Sequence, residues 1–286
     1  MNAVILAAGT SSRFVPLSYE RPKSLLEVRG EILIERQIRQ LKESAIDDIT
    51  MVTGYKTEMF TYLKKKYGVE LVYNKDYYRY NNISSIIRVI DKLADTFVCC
   101  SDLYFRENVF AEFPQESYYA SRYASSDTEE YCLSLDEHDY IKAVTIGGRD
   151  SWYMIGHAFF SKTFSERFCQ LLIDEYRKEE VRNGYWEDVY IRHINELPMK
   201  VKRYSDDDIF EFDTLDELRS FDLSYMNDTR SSILKRICVE RRWKESELCG
   251  FKIVSFSNDL MVFQFQRHSD TYQIEWGIDC SNIVKI

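Results

Sequence analysis

Glycine and proline are scarce, at 10 and 4 of 286 residues, which excludes collagen-like, fibrous and low-complexity chains. No apolar run approaches the roughly 20 residues a membrane-spanning helix requires, so no membrane partner is expected. Histidine occurs only 4 times, at positions 138, 157, 193 and 268, without an HxxxH pair, and a His-rich zinc site has little support. The 7 cysteines include no CxxC. Cys99 and Cys100 are neighbours in an apolar run and point to opposite faces of a strand; the set reads as reduced packing residues rather than metal ligands. Neither a GxSxG elbow nor a GxxxxGK[ST] loop is present. An excess of positive charge is missing too: 38 Lys plus Arg face 47 Asp plus Glu, a net charge of −9, which argues against affinity for nucleic acid or anionic lipid. The opening MNAVILAAG has no basic flank and no small-residue cleavage site, so a cytoplasmic protein without a signal peptide is expected.

What remains is a chain that is 45% hydrophobic and 30% charged, long enough for one large core and a small extra unit. Short β-branched runs alternate with stretches of helical period, the pattern of an α/β domain with a mostly parallel sheet. Strands are expected at Ala3 to Ala7, Asp48 to Thr53, Glu70 to Tyr73 and Thr96 to Cys100. Helices follow them, one carrying Met59, Phe60, Leu63 and Tyr67, another Ile86, Ile87, Ile90, Leu93 and Ala94. Between about 115 and 162, alternating Tyr- and Ser-rich segments such as Ser117 to Arg122 and Tyr140 to Ile146 indicate antiparallel hairpins, a β insertion. A helix through Phe164, Phe168, Leu171, Leu172 and Glu175 comes next. After a last strand near Phe210 to Asp213, Thr214 to Glu217 has the form of a capping box. The domain boundary is placed at Ser224, giving a main domain of 1–224 and an α+β appendage of 225–286 with one helix and three strands, Phe251 to Phe256, Leu260 to Gln266 and Thr271 to Trp276.

In open α/β sheets ligands sit at the carboxyl ends of the strands. The first such end reads Val4-Ile-Leu-Ala-Ala-Gly-Thr-Ser-Ser-Arg13-Phe and is followed by Arg21-Pro-Lys23-Ser-Leu-Leu26. Small residues let the chain turn tightly while backbone N–H groups converge, which suits a triphosphate, and Arg13 and Lys23 supply charge. The backbone of Leu6, Ala7, Ala8, Gly9, Thr10 and Ser11 is the expected nucleotide cradle.

AAG-x-x-x-R-F with a downstream PK-x-L resembles the signature of the nucleotidyltransferases that make activated sugars and alcohols. Thr53-Gly-Tyr55, Tyr62 to Tyr67, Tyr73-Asn74, Asn82 to Ser85, Tyr185-Trp186 and Asp207 to Glu211 extend the resemblance, over residues 1–224, to bacterial CTP:phosphocholine cytidylyltransferases. It implies a Rossmann-like fold, CTP and a small phosphorylated amino alcohol as substrates, and Mg2+ as cofactor. The chain departs from the family's pattern at Ser11, where glycine is usual and where backbone freedom is reduced.

The resemblance implies that Asp102 binds magnesium, with Glu187 or Asp213 as the second acidic ligand; a solvated helix start and a helix cap are the alternatives for those two. Lys23 is assigned to the α-phosphate and the incoming phosphate, and Arg13 to the leaving pyrophosphate. Asn82 and Ser85 would read base and ribose, or form a helix N-cap cluster. For the acceptor, Tyr131 and Tyr185 match aromatic positions of a choline-binding wall, with Trp152 and Trp186 as further candidates, while Glu129, Glu130, Asp188 and Asp206 to Asp208 are carboxylates available to a primary-amine acceptor such as 2-aminoethylphosphonate or phosphoethanolamine. A 2-aminoethylphosphonate or sugar-1-phosphate acceptor remains open, and so does a catalytically silent nucleotide-binding regulator. The tail resembles, weakly, a truncated choline-kinase N-lobe. Ser257-Asn258 stands where a glycine-rich turn would be expected, so no kinase activity is expected and the tail reads as a structural or dimer-forming appendage.

Overall fold

A computed structural model describes residues 1–257, 260–277 and 281–286; Asn258 and Cys280 lie outside them. The described chain divides into two compact units, Met1–Gly9 with Leu33–Glu211, and Thr10–Ile32 with Phe212–Ile286. This division differs from the boundary expected at Ser224, because the segment after the first strand groups with the C-terminal residues.

The first unit is built on strands β1 (Asn2–Ala7), β2 (Ile49–Thr53), β3 (Glu70–Tyr73), β4 (Thr96–Cys100), β5 (Leu103–Phe105), β6 (Tyr118–Ala124), β7 (Thr128–Leu135), β8 (Ile141–Gly148), β9 (Ser151–Phe160), β10 (Lys200–Arg203) and β11 (Ile209–Glu211). Nine of them form one sheet with the order β8-β7-β9-β4-β1-β2-β3, and β6 joins β9 and β10 beside that path. The β4-β1-β2-β3 block is parallel, as the alternating pattern requires, and β9 turns the sheet antiparallel at β4. Every residue of β1 is buried, as expected of an apolar strand covered on both faces. Helix Lys162–Tyr176 closes one face with Phe164, Phe168 and Leu172, which pack with Phe160 and Trp186. Each such side chain contributes roughly 1.5–3 kcal/mol by leaving water.

The expected helix through Ile86 to Ala94 is broken: a single turn Ile83–Ile86 passes into a 3-10 stretch Ile87–Lys92 in which Val89 has non-helical angles. Cys99 and Cys100 do face opposite ways. Cys99 Sγ lies 3.3 Å from Nδ1 of His157, whose Nε2 is 3.0 Å from the Tyr118 hydroxyl, and burial pushes this imidazole down to about 3. His157 is a neutral core residue. The six described cysteines are free thiols.

In the second unit, Thr214 opens helix Leu215–Phe221 with the expected capping box, its hydroxyl accepting from Glu217 N. Helix Ser232–Arg241 precedes a four-stranded antiparallel meander of β12 (Leu248–Phe256), β13 (Leu260–Arg267), β14 (Asp270–Gly277) and β15 (Ser281–Lys285). β15 was not expected from the sequence. Met261, Phe263, Phe265 and Ile274 are fully buried in this unit. The Arg219 guanidinium, 5% exposed, is spent on the carbonyls of Tyr225, Glu245 and Leu248, tying helix to sheet.

Candidate active site

In the first unit the carboxyl ends of β1, β2 and β4 lie side by side. Leu6 pairs with Cys100 and Ala7 with Thr53, Ser101 N donates to Leu6 O at 3.1 Å, and Tyr55 N donates to Ala8 O at 3.1 Å. Asp102 therefore follows directly on a residue bonded to the end of β1. A Cβ at Gly54 would stand 2.7 Å from Ala8 O and 2.6 Å from the Tyr77 side chain, so only glycine permits this approach.

Burial raises the Cys100 thiol well above its usual value, and the negative charges of Asp102, Glu187 and Glu211 raise it further. Three carboxylates thus act on one sulfur at the end of β4. Glu187 is 7% exposed; Tyr119 donates its hydroxyl to Oε1 at 2.9 Å and Asn82 Nδ2 donates to Oε2 at 3.2 Å. Burial nonetheless pushes its carboxyl up to about 7, because these hydrogen bonds only partly replace water. Tyr119 was not singled out from the sequence, and Glu211 was quoted only as the end of a stretch that carries the resemblance, with no role at the site. Glu211 shares a strand face with buried Ile209, two residues before it, and that alternation was the available signal.

Among the described residues no group of three or more His, Cys, Asp or Glu side chains forms a metal cage. A magnesium ion bound with a nucleotide takes one or two carboxylates plus phosphate oxygens. As oxygen donors Asp102 and Glu187 would fit that set, and burial disfavours the ionised form of Glu187 although Tyr119 and Asn82 hydrogen-bond to it, a cost that a bound cation would offset.

Asn82 is committed within the protein. Its Oδ1 accepts from Trp186 N at 2.8 Å while Nδ2 serves Glu187, so it fixes the start of helix Trp186–Arg192. Ser85 is 3% exposed and its Oγ accepts from Asn74 Nδ2 at 3.0 Å. Neither side chain caps the turn Ile83–Ile86.

Tyr131, Tyr185, Glu187 and Asp188 are brought together. The Tyr131 hydroxyl donates to Asp188 Oδ1 at 3.4 Å, and Asp188 Oδ2 accepts from Tyr185 N at 2.7 Å. Burial, then the charges of Asp188 and Glu187, push the Tyr131 phenol up to about 12. The Tyr185 ring is exposed. Trp186 is not part of this corner: it is 2% exposed, stacked on Tyr119 and edge-on to Phe160 and Phe168, a core residue that corrects its expected role. Trp152 packs edge-on against Tyr123, with the Arg203 guanidinium 5.3 Å from its ring. Glu130 is exposed on β7.

In the second unit Ser11 takes a left-handed backbone, φ 49°, and Phe14 N closes the following 3-10 turn on Ser11 O at 2.9 Å. Pro22 leads into a turn Lys23–Leu25 whose lysine is 4% exposed, its ammonium 6.0 Å from the Phe14 ring centre. Asp213 bridges the two cations: Oδ2 is 3.0 Å from Arg13 Nη1 and Oδ1 is 3.6 Å from Lys23 Nζ. The helix cap holds the Asp213 backbone, whose N–H donates to Glu217 Oε2 at 2.7 Å.

A family model described as the MobA-like NTP transferase domain matches residues 3–141. The chain is 36% identical over 234 residues to a 2-aminoethylphosphonate cytidylyltransferase of Lancefieldella rimae, covering 80% of this chain and 95% of that one. It is 32% identical over 228 residues to the choline-phosphate cytidylyltransferase of Streptococcus pneumoniae, covering 80% of this chain and all of that protein. The chain belongs to the cytidylyltransferases of the nucleotidyltransferase superfamily. The solved CTP:phosphocholine cytidylyltransferase of Streptococcus pneumoniae superposes with a TM-score of 0.74 at 33% identity, over 77% of this chain and 96% of that one. The Rossmann-like nucleotidyltransferase fold and the enzyme class expected from AAG-x-x-x-R-F and PK-x-L are thereby established for this cytidylyltransferase. No helix among the described residues is long and apolar enough to cross a membrane.

Proposed function

We propose that this cytidylyltransferase transfers CMP from CTP to phosphocholine, giving CDP-choline and pyrophosphate. The observation that carries this reading is the corner where exposed Tyr185, Tyr131 and Asp188 meet beside Glu187, since a cationic head group needs aromatic faces and nearby negative charge. An acceptor phosphate oxygen attacks the α-phosphorus of CTP, the bond to the bridging oxygen breaks, and pyrophosphate leaves with the electron pair. The nucleophile is already ionised at neutral pH, so alignment and charge neutralisation set the rate. Lys23 follows the α-phosphate and the acceptor phosphate, Arg13 takes the departing pyrophosphate, and the nucleotide phosphates replace Asp213 as their counter-charge. Asp102 and Glu187 would hold Mg2+, which when bound supplies positive charge to the phosphate oxygens.

A second acceptor, 2-aminoethylphosphonate, is favoured by the similarity to the Lancefieldella rimae enzyme and by Asp188, whose carboxylate can accept from a primary ammonium. Incubating CTP, and each other nucleoside triphosphate, with phosphocholine, 2-aminoethylphosphonate, phosphoethanolamine and sugar phosphates while following pyrophosphate separates the readings. Release with CTP and phosphocholine is expected. Release with the phosphonate alone replaces the acceptor, and silence with every pair leaves a nucleotide-binding regulator.

A further inference from the structure

The segment that carries Arg13 and Lys23 is tied down by the C-terminal residues of its own unit. Glu20, three residues before Lys23, places its carboxylate on the first turn of helix Ser232–Arg241. It accepts from the Ser231 hydroxyl, from Ser232 N at 2.9 Å, from Ser232 Oγ at 2.6 Å and from Ile233 N at 3.4 Å. A carboxylate there satisfies orphan helical N–H groups and lies at the positive end of the helix dipole. Beside it, Tyr19 meets Phe256 of β12 edge-on with ring centres 5.8 Å apart, and β12 also contacts the Ser12–Phe14 turn that holds Arg13. On the other side of Lys23, the carbonyl of Glu27 accepts from the Tyr225 hydroxyl at 2.6 Å and from Arg230 Nη1 at 2.8 Å. Both cations thus sit between anchor points supplied from beyond Ser224.

One-fifth of this chain has no counterpart in the Streptococcus pneumoniae protein that is matched along its whole length. We propose that the residues after Ser224 are a brace that holds the Arg13–Lys23 segment ready for the triphosphate, and that Glu20 is the positioning residue through which helix Ser232–Arg241 acts on it. Preformed placement of the two cations lowers the ordering required when the nucleotide binds. This inference rests on the assignment of Arg13 and Lys23 to CTP phosphates, so its test needs a readout independent of turnover.

The variants Glu20→Ala, Glu20→Gln and Ser232→Ala are compared in the full chain by amide hydrogen exchange without nucleotide and by steady-state kinetics. Glu20→Ala is expected to speed exchange of residues 10–26 at least tenfold and to raise KM for CTP at least fivefold, with KM for the acceptor within twofold of wild type. Glu20→Gln, which keeps a carbonyl acceptor, restores most of both, and Ser232→Ala shifts them in the same direction by less. Unchanged exchange and unchanged KM for CTP overturn the brace, as does a kcat that falls only with the folded fraction. Should Glu20→Ala fail to fold, Ser232→Ala decides on the same two readouts. Wild-type protein silent with every substrate pair would sink the functional reading instead, while the exchange experiment still tests the brace.

Discussion

Arg13 Nη1 and Asp213 Oδ2 stand 3.0 Å apart, and the other oxygen of the same carboxylate reaches toward Lys23. The Asp213 carboxylate therefore lies against both of the cations proposed to receive the triphosphate. Because Lys23 is nearly fully buried, its charge is worth more to a phosphate than that of a surface lysine. Lys23→Ala is expected to lower turnover by about two orders of magnitude or more, the scale of losing one preorganised charge. Asp102→Ala is expected to do the same through the Mg2+ that Asp102 is proposed to hold. Single-turnover pyrophosphate release, with circular dichroism to verify folding, checks both, and near-normal rates would remove the residue concerned from the mechanism.

Glu187 links stability to pH. Burial raises its carboxyl to about 7 in the folded protein against about 4.5 for an ordinary glutamate in the unfolded chain, so between these values the folded state keeps a proton that the unfolded state has released. Stability contributed by that proton is complete below about 4.5 and is lost as pH rises toward 7, with a slope approaching roughly 1.4 kcal/mol per pH unit. Glu187→Gln abolishes the slope. Urea denaturation in chelator from pH 4.5 to 8 should show the variant gaining on wild type as pH rises, while its turnover falls. Parallel curves would refute the assignment.

The corner proposed to bind the acceptor makes a different prediction. Tyr131 touches Asp188 through its hydroxyl, and Tyr185 contributes an exposed ring above the same helix start. Tyr131→Ala and Tyr185→Ala should each raise KM for the acceptor about tenfold, roughly the worth of one or two aromatic contacts to a cation, and leave KM for CTP within twofold. Equal acceptor KM values in wild type and both variants would dismiss the corner as the binding wall.

The strands β1, β2, β3 and β4 were legible because each is a short apolar run closed by a polar turn, and their ends located Asp102. What stayed hidden was non-local. Nothing in the local pattern joins Asp213 to Arg13 and Lys23, and Glu211 reaches the site only because it pairs with Leu103, immediately after Asp102. Trp186 was misread because its aromatic ring alone made it a candidate for the choline-binding wall. Its helical spacing to Val189 and Tyr190, both buried, marks the inward face of that helix, whereas Glu187 is held by hydrogen bonds. The break at Val89 involves no glycine or proline and so left no trace in the sequence.

Ser11 is the one position in the phosphate turn where this chain departs from the usual glycine, and the structure gives the departure a physical cost. At φ 49° and ψ 41° a side chain crowds the following backbone by roughly 1–2 kcal/mol, part of which a glycine would give back as greater freedom when unfolded. Ser11→Gly is therefore expected to raise stability by up to about 1 kcal/mol, and Ser11→Val, branched at Cβ, to lower it by more. Since Phe14 N already closes the turn on the Ser11 carbonyl, Ser11→Gly should leave KM for CTP within twofold. Urea midpoints for the two variants check the ordering; Ser11→Gly falling below wild type would mean that the serine hydroxyl, not the backbone, decides this residue's contribution.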